Sequence, residues 1–244
     1  MTATYVQPPI IKASEVPDEW GFNILIYGHP GAGKTVLAAS AQDSPHGRDV
    51  LFLDCEAGTR SISDREDIDV ISITAWEQMG QTYDWLVSPD TNHSYKTIVI
   101  DTLTALQELK LAEIMAVSKN ETPTFDEWNK LNSATNRMFR SFKDLATDKG
   151  YNVIFVCWET EEKNEQTGAV LTRPALTPAA ARYIMGSVDI IGHLGYNSKE
   201  ERVLRLQGTA SLSAKAREPS SRKVLEPQYI NPSMVTILDA QKGA

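Results

Sequence analysis

The sequence predicts an α/β domain with a mostly parallel central sheet that is covered by helices on both faces. Short, nearly continuous apolar runs recur along the chain, and segments whose apolar residues have helical spacing lie between them. Apolar runs of this length are typical of strands that are buried on both faces of a parallel sheet. Their alternation with helices indicates helices on both sides of that sheet. The predicted strands cover residues 23–28, 49–54, 68–73, 97–101 and 152–158.

Helices are predicted between these strands from apolar periodicity and from end signals. Thr124 or Asp126 is suited to cap the longest helix, and Pro178 is suited to the first turn of the last one. The predicted helices cover residues 34 to about 41, 76–87, 103–117, 125–149 and 177–185.

The C-terminal third of the chain is predicted to contain shorter elements. Residues 161–174 are turn-rich and predict either a hairpin or a mobile loop. A strand pair is predicted to meet at Asn197–Lys199, and residues 235–238 are predicted as a last strand. The predicted organisation is an irregular N-terminal arm over 1–21, a core over 22–218 and a short C-terminal β extension over 219–244.

The composition of the 244-residue chain is that of a globular protein, with 41% hydrophobic and 23% charged residues. A net charge of −8 argues against a broad basic surface for duplex DNA, although a narrow basic path is compatible with it. No apolar run approaches the length of a membrane span, and the first ten residues lack the pattern of a signal peptide. We therefore expect a cytoplasmic protein. Cys55 and Cys157 lie in apolar runs and are expected to be reduced core residues.

The strongest motif is GHPGAGKT, which fits G-x-x-x-x-G-K-[ST] at every required position. It follows an apolar strand and opens a helix, so its backbone N–H groups and the helix dipole favour bound phosphate. Lys34 is expected to reach the β- and γ-phosphates of ATP, and the hydroxyl of Thr35 to bind Mg²⁺. The residues expected to contact the nucleotide are Gly28, His29, Pro30, Gly31, Ala32, Gly33, Lys34, Thr35 and Val36.

Two further strand ends supply carboxylates for this phosphate site. Asp101 ends the run TIVID and is expected to bind Mg²⁺ through water, beside the alternative that it caps the following helix. The run LFLDCEAG places Asp54 and Glu56 at the end of another strand. Either carboxylate is suited to orient the attacking water, because residues two apart on a strand point the same way.

The order and spacing of GHPGAGKT, LFLDCEAG, TIVIDTLTAL and VIFVCWE resemble those of the RecA superfamily of P-loop NTPases. The resemblance covers roughly residues 22–218, and size and layout are most similar to small phage-encoded RecA-like ATPases. It implies a RecA-like core that hydrolyses ATP with Mg²⁺ and acts on single-stranded DNA in recombination or annealing. It also implies a homo-oligomeric filament or ring, a single-strand DNA-binding protein as partner, and the cytoplasm of a bacterial host.

The resemblance assigns roles to further residues. RecA-type ATPases carry the water-activating glutamate where Glu56 stands, whereas many AAA+ ATPases carry it directly after the metal-binding aspartate, where this chain has Thr102. Glu159 or Thr160 occupies the position of the γ-phosphate sensor, and Thr160 is favoured because phosphate would repel a glutamate. Lys215 and Arg217 stand where related proteins carry basic residues that reach a neighbour's γ-phosphate. The alternative for this pair is two solvated bases in a loop.

The resemblance places two DNA-contacting loops near residues 116–126 and 160–175. Lys119 and Asn120 lie in the first loop, while the second mixes Lys163 and Arg173 with several glutamates, which weakens the DNA interpretation. Another P-loop motor, or a nucleotide-gated switch or scaffold protein that does not act on DNA, is the alternative class. The presence of a full set of catalytic candidates argues against a protein that has lost hydrolysis.

Overall fold

The computed structural model describes Lys12, residues 21–163, residues 165–218 and residues 224–242. The predicted N-terminal arm therefore lies outside the described residues, apart from Lys12 and Gly21. The described residues form one sheet with the strand order β10-β8-β7-β1-β5-β4-β2-β3, in which β6 pairs with β5 and β9 with β7. The strands are β1 Asn23–Gly28, β2 Val50–Asp54, β3 Asp69–Ser72, β4 Thr97–Asp101, β5 Asn152–Lys163, β6 Val170–Pro174, β7 Ile190–Tyr196, β8 Arg202–Arg205, β9 Lys215–Ala216 and β10 Gln228–Ile230.

The centre of the sheet is parallel, as predicted. Strands β7, β1, β5, β4, β2 and β3 run in one direction, while β6, β8, β9 and β10 pair antiparallel. The carboxyl ends of the parallel strands therefore meet at one edge of the sheet, which is where α/β proteins bind ligands. The helices are α1 Lys34–Ala39, α2 Glu77–Val87, α3 Leu103–Ala116, α4 Phe125–Lys149, α5 Pro178–Ser187 and α6 Met234–Lys242.

Helices cover both faces of the sheet and form two hydrophobic clusters. One cluster joins α2, α3, α4 and α5 to one face of the strands, with Phe139, Phe142 and Phe155 almost fully buried. The other joins α1 and α6 to the opposite face, around Leu37 and Phe52. The side chains on the two faces of β1 and β5 belong to different clusters, so both faces of these central strands are shielded from solvent. This explains their continuous apolar sequences.

The prediction of a last strand over residues 235–238 is wrong, because these residues lie in α6. Met234, Ile237 and Leu238 are buried at helical spacing against the cluster that contains α1. The backbone N–H of Met234 also donates to Ser40 Oγ at 2.8 Å. The short C-terminal strand of this region is instead β10, which pairs with β8.

The turn-rich segment after β5 forms a hairpin, one of the two predicted alternatives. Strand β5 continues to Lys163, beyond the predicted end at residue 158, and pairs with β6. Both cysteines are free thiols, with Cys157 buried and Cys55 half-buried. Burial raises the pKa of Cys157 to about 12, so this thiol stays protonated at neutral pH. No helix within the described ranges has the length and apolar character needed to span a membrane.

Helix α4 begins with a capping box formed by Thr124 and Glu127. The Glu127 carboxylate accepts hydrogen bonds from Thr124 N at 2.8 Å, Ser118 Oγ at 2.7 Å and Asn120 Nδ2 at 3.0 Å. The hydrogen bonds from Thr124 and Ser118 lower the pKa of Glu127 to about 2. The carboxylate therefore ties the preceding loop to the start of the longest helix.

Glu127→Gln should destabilise the protein at neutral pH but not near pH 2, where the Glu127 carboxylate becomes protonated. Because the folded pKa is below the unfolded one, the stabilising effect of Glu127 is present above about pH 4.5 and is lost toward pH 2. We expect the difference in unfolding temperature between the variant and the unchanged protein to shrink over that range. A difference that is constant with pH would show that charge on Glu127 does not contribute.

Candidate nucleotide-binding site

The phosphate loop lies between β1, which ends at Gly28, and α1, which begins at Lys34. Gly31 and Gly33 have positive φ angles of 81° and 92°, which side chains other than glycine rarely adopt. A Cβ atom at Gly28 would lie 2.1 Å from the carbonyl oxygen of Leu194 on β7, so this position is restricted to glycine by close packing. Within the loop His29, Pro30 and Gly31 are exposed, Ala32 is buried, and Val36 on the first turn of α1 is 40% exposed.

Lys34 is buried beneath this loop, with 6% of the residue exposed. Its Nζ donates to the carbonyl oxygens of Gly28 at 2.9 Å and His29 at 3.0 Å. Burial lowers the pKa of Lys34, while the nearby carboxylates of Asp101 and Glu56 oppose this shift. The ammonium group thus lies under the loop beside acidic groups that counteract the effect of burial on its pKa.

Thr35 and Asp101 meet across the edge of the sheet. Thr35 Oγ1 donates to Asp101 Oδ2 at 2.7 Å, and Asp101 is 1% exposed. Asp101 Oδ1 is buried and has no hydrogen-bond partner among the described residues. Burial raises the pKa of Asp101 to about 6, and the hydrogen bond from Thr35 opposes that shift. An unpaired carboxylate oxygen beside a threonine hydroxyl is a fitting pair of hard oxygen ligands for Mg²⁺.

The rest of a Mg²⁺ coordination shell would come from phosphate and water rather than from protein. In the described part of the chain, no group of three or more His, Cys, Asp or Glu residues is arranged to hold a metal ion. Mg²⁺ in nucleotide sites is commonly held by one or two protein ligands together with phosphate oxygens and waters. Thr35 as a direct ligand, with Asp101 acting through water, would therefore fit such a site.

The structure separates Asp54 from Glu56, which sequence reasoning left open. Asp54 is 4% exposed, and its carboxylate accepts from the backbone N–H groups of Glu56 and Gly58, both at 3.1 Å, and from Thr59 Oγ1 at 2.5 Å. These bonds hold the turn that follows β2. Because β2 ends at Asp54 and Ala57 adopts a left-handed conformation with φ of 57°, Glu56 leaves the strand direction and is exposed. Of these two residues, Glu56 is therefore the one whose carboxylate can face a ligand.

Thr102 holds Glu56 beside the metal-binding candidates. Its hydroxyl donates to Glu56 Oε2 at 3.0 Å and accepts from the backbone N–H of Ala105, which makes Thr102 the N-cap of α3. Asp101, one residue earlier, points its carboxylate toward Thr35 and does not cap this helix. Sequence reasoning singled out Thr102 only as the absence of a glutamate and missed this contact.

Glu159 and Thr160, the two candidates for the γ-phosphate sensor, directly follow Trp158, the residue of β5 that is in register with Gly28 at the start of the phosphate loop. Glu159 Oε2 lies 2.9 Å from His193 Nε2, and burial lowers the pKa of His193 while Glu159 opposes that shift. Thr160 belongs to the β5–β6 hairpin, where it pairs with Arg173. The His193 partner of Glu159 was missed in the sequence, because the contact depends on the strand order.

Lys215 and Arg217 lie at the opposite edge of the sheet from the phosphate loop. Lys215 pairs with Ile191 on β7, and Arg217 forms an ion pair with Asp189 at 2.9 Å. Ala216, which lies between these two bases, pairs with Ile190 on β7, and Ile190 is in register with Ile24 on β1. Gly28 lies four residues beyond Ile24, which is about 13 Å at the usual rise of a strand. The structure therefore does not bring these two bases to the phosphate loop of their own chain.

The two predicted DNA-contacting loops have different structures. In the first, Lys119 is exposed and Asn120 bonds to Glu127 at the start of α4. In the second, the side chain of Arg173 pairs with Glu162 and donates to the backbone carbonyl oxygens of Pro174 and Leu176. Arg173 is therefore engaged within the chain.

Tyr27 connects the phosphate-loop strand to two of these regions. Its hydroxyl lies 2.7 Å from the carbonyl oxygen of Ser213, to which it donates, and 3.2 Å from that of Thr172. Ser213 lies two residues before Lys215, in the segment that carries the two bases, and Thr172 lies on the β5–β6 hairpin. Burial raises the pKa of Tyr27, so the hydroxyl keeps the proton that this contact needs.

The comparisons with known proteins agree with this geometry at the level of the family. No curated protein matches the chain. The family model AAA_24, an AAA domain, matches residues 21–218, which include the phosphate loop, Glu56, Asp101 and the β5–β6 hairpin. The chain therefore belongs to the AAA_24 family of AAA domains, which are P-loop ATPases.

Proposed function

We propose that this protein is a Mg²⁺-dependent ATPase with a RecA-type core that couples ATP hydrolysis to single-stranded DNA in recombination or annealing. The observation that supports it best is the hydrogen bond from Thr102 to Glu56, at 3.0 Å. It places a glutamate from the end of β2 beside Thr35 and Asp101, which is the arrangement that the RecA resemblance implies. The further features of that resemblance, a phage origin, a homo-oligomer and a single-strand DNA-binding partner, belong to the same proposal.

Each residue at this edge has a separate task in the proposed reaction. The loop amides and Lys34 bind the phosphates. Thr35 would hold Mg²⁺ directly and Asp101 would hold it through water, and the ion would offset charge on the transferred phosphoryl group. Glu56 accepts a hydrogen bond from the attacking water and orients it. Thr102 keeps the Glu56 carboxylate turned toward that water, since it donates to one oxygen and leaves the other free. Glu159 or Thr160 senses the γ-phosphate, as the resemblance implies.

The alternative is an ATP-dependent motor or nucleotide-gated switch that does not act on DNA. The observation that favours it is the acidic character of the β5–β6 hairpin, where Glu161, Glu162 and Glu165 are exposed and Arg173 is already paired. Phosphate contacts dominate DNA affinity, and exposed carboxylates repel phosphates. DNA binding by this hairpin would depend on Lys163, which is exposed, and on backbone N–H groups.

Steady-state ATP hydrolysis, measured with and without single-stranded DNA over a range of protein concentrations, distinguishes the two. We expect DNA to stimulate hydrolysis and the rate per chain to rise steeply with concentration, because an assembly would share its active sites. A hydrolysis rate that is unchanged by DNA and proportional to protein concentration would support the motor or switch. Hydrolysis at background under all conditions would contradict the ATPase itself.

Glu56→Gln should abolish turnover and spare binding, whereas Asp54→Asn should weaken the fold. Loss of a general base lowers kcat by about 10²–10⁴-fold, and the Kd for ATP should stay close to that of the unchanged protein. Asp54→Asn removes a charged acceptor of several buried hydrogen bonds and should cost about 1–3 kcal/mol of stability. Turnover, ATP affinity and unfolding temperature are measured for both variants. A stable Asp54→Asn protein that binds ATP without turning it over would reverse the two roles.

Arg217→Ala should lower ATP turnover by about 10³-fold while ATP binding is kept, because its guanidinium would stabilise charge on a neighbour's γ-phosphate. Asp189→Asn is the matched control, since it breaks the same ion pair and keeps the arginine. Mixing Arg217→Ala with Lys34→Ala, each inactive alone, should restore turnover, since an interface between the two can combine one intact phosphate loop with one intact arginine. Absence of restoration, or full turnover by Arg217→Ala, would rule out the shared site.

A further inference from the structure

Arg202 lies against the phosphate loop of its own chain. It begins β8, which pairs antiparallel with β7, and β7 lies next to β1. This hairpin brings the guanidinium so close to Gly33 that a Cβ atom there would lie 2.9 Å from Arg202 Cζ and 3.1 Å from Nη1. The backbone of Arg202 is fixed as well, because its carbonyl oxygen accepts from Asn231 N at 2.7 Å. The guanidinium therefore occupies a set position beside the loop.

The charge of Arg202 has no partner in the part of the chain that the structure describes. Its Nε is buried without a hydrogen-bond acceptor, and no carboxylate there lies within ion-pairing distance of it. By contrast, Arg173 pairs with Glu162, Arg217 with Asp189, and Arg205 donates to the carbonyl oxygen of Tyr196 at 3.0 Å. A partly buried guanidinium without an acceptor is unfavourable, whereas its planar fork of N–H donors is suited to phosphate oxygens.

We propose that Arg202 binds the diphosphate part of the nucleotide in its own subunit, an inference that rests on the proposed nucleotide site. Gly33 belongs to the stretch of the loop whose N–H groups cradle the α- and β-phosphates, while Lys34 reaches toward the γ-phosphate. A donor lying on Gly33 contacts groups that ADP and ATP share. Arg202 is thus a binding residue for both nucleotides, and it differs from Arg217, whose proposed role concerns only the γ-phosphate of a neighbour.

The test compares Arg202→Gln with Arg205→Gln in nucleotide affinity. Arg205 lies on the same strand and carries the same charge, but it is three residues away and faces the other side of the sheet. We expect Arg202→Gln to raise the Kd for ADP and for ATP by similar factors of about 10–100, the effect of one charged hydrogen bond or two. Its kcat at saturating ATP should stay within about threefold of the unchanged protein, and Arg205→Gln should match the unchanged protein throughout.

Inorganic pyrophosphate, competed against a fluorescent ADP derivative, separates phosphate contact from base contact. Arg202→Gln should weaken the binding of pyrophosphate by the same factor as the binding of ADP. If the variant bound ADP more weakly but pyrophosphate with unchanged affinity, the guanidinium would contact the base, and the proposal would be overturned. A lower kcat with unchanged Kd for ADP would also overturn it, since Arg202 would then act on the γ-phosphate during transfer.

The unfolding temperature separates a binding role from a structural one. The free Arg202→Gln protein should unfold at the temperature of the unchanged protein, while the rise that ADP produces should be smaller. Should Arg202→Gln fail to fold, Arg202→Lys carries the test, and its Kd for both nucleotides is expected to rise by about threefold or more, since lysine keeps the charge but loses the fork. Unchanged affinity of a folded Arg202 variant refutes only this inference, whereas lack of ADP and ATP binding by the unchanged protein refutes the proposed function itself.

Discussion

The parallel register of β1, β5, β4 and β2 is the constraint on which the rest of the site depends. Because these strands point the same way, Gly28, Glu159, Asp101 and Asp54 all lie near one edge of the sheet, although more than a hundred residues separate Gly28 from Glu159. The hydrogen bond from Thr35 to Asp101 reaches across β5, which lies between β1 and β4, and it depends on this register. A slip of one residue would turn Asp101 to the other face of the sheet and bury it among apolar side chains.

The acidic residues at this edge differ in how burial and hydrogen bonds hold their carboxylates. Asp54 accepts hydrogen bonds within the turn after β2, and Thr102 donates to one oxygen of Glu56. Asp101 Oδ1 has no donor in the part of the chain that the structure describes. Lys34 lies near them, and burial lowers its pKa while Asp101 and Glu56 oppose the shift. Polyphosphate would add further negative charge here, so Mg²⁺ and a second cation such as Arg202 are electrostatically consistent with the same site.

Local signals in the sequence predicted the central fold well. The bounds of β1, β4 and α4 match the prediction, because continuous apolar runs end at a glycine or an aspartate and because a capping box marks the helix start. Residues 235–238 were assigned to the wrong element, since a short apolar run has no clear period and tertiary packing against α1 decides its structure. Asp54 and Glu56 could not be separated by alternation, because the chain leaves the strand between them. The contacts of Arg202 with Gly33 and of His193 with Glu159 depend on strand order, which no local pattern encodes.

Tyr27 gives the phosphate site a direct physical connection to the segments that the RecA resemblance assigns to partners. Its side chain points to the α3–α5 face of the sheet, while its backbone leads into Gly28. One hydroxyl lies within hydrogen-bonding distance of carbonyl oxygens of both the β5–β6 hairpin and the segment before Lys215. A hydroxyl has one proton, so it donates fully to one carbonyl at a time, and the shorter contact favours Ser213. A shift of Gly28 would therefore act on both segments through the same side chain, and these segments are also joined to each other by backbone hydrogen bonds between Thr172 and both Ser211 and Ser213.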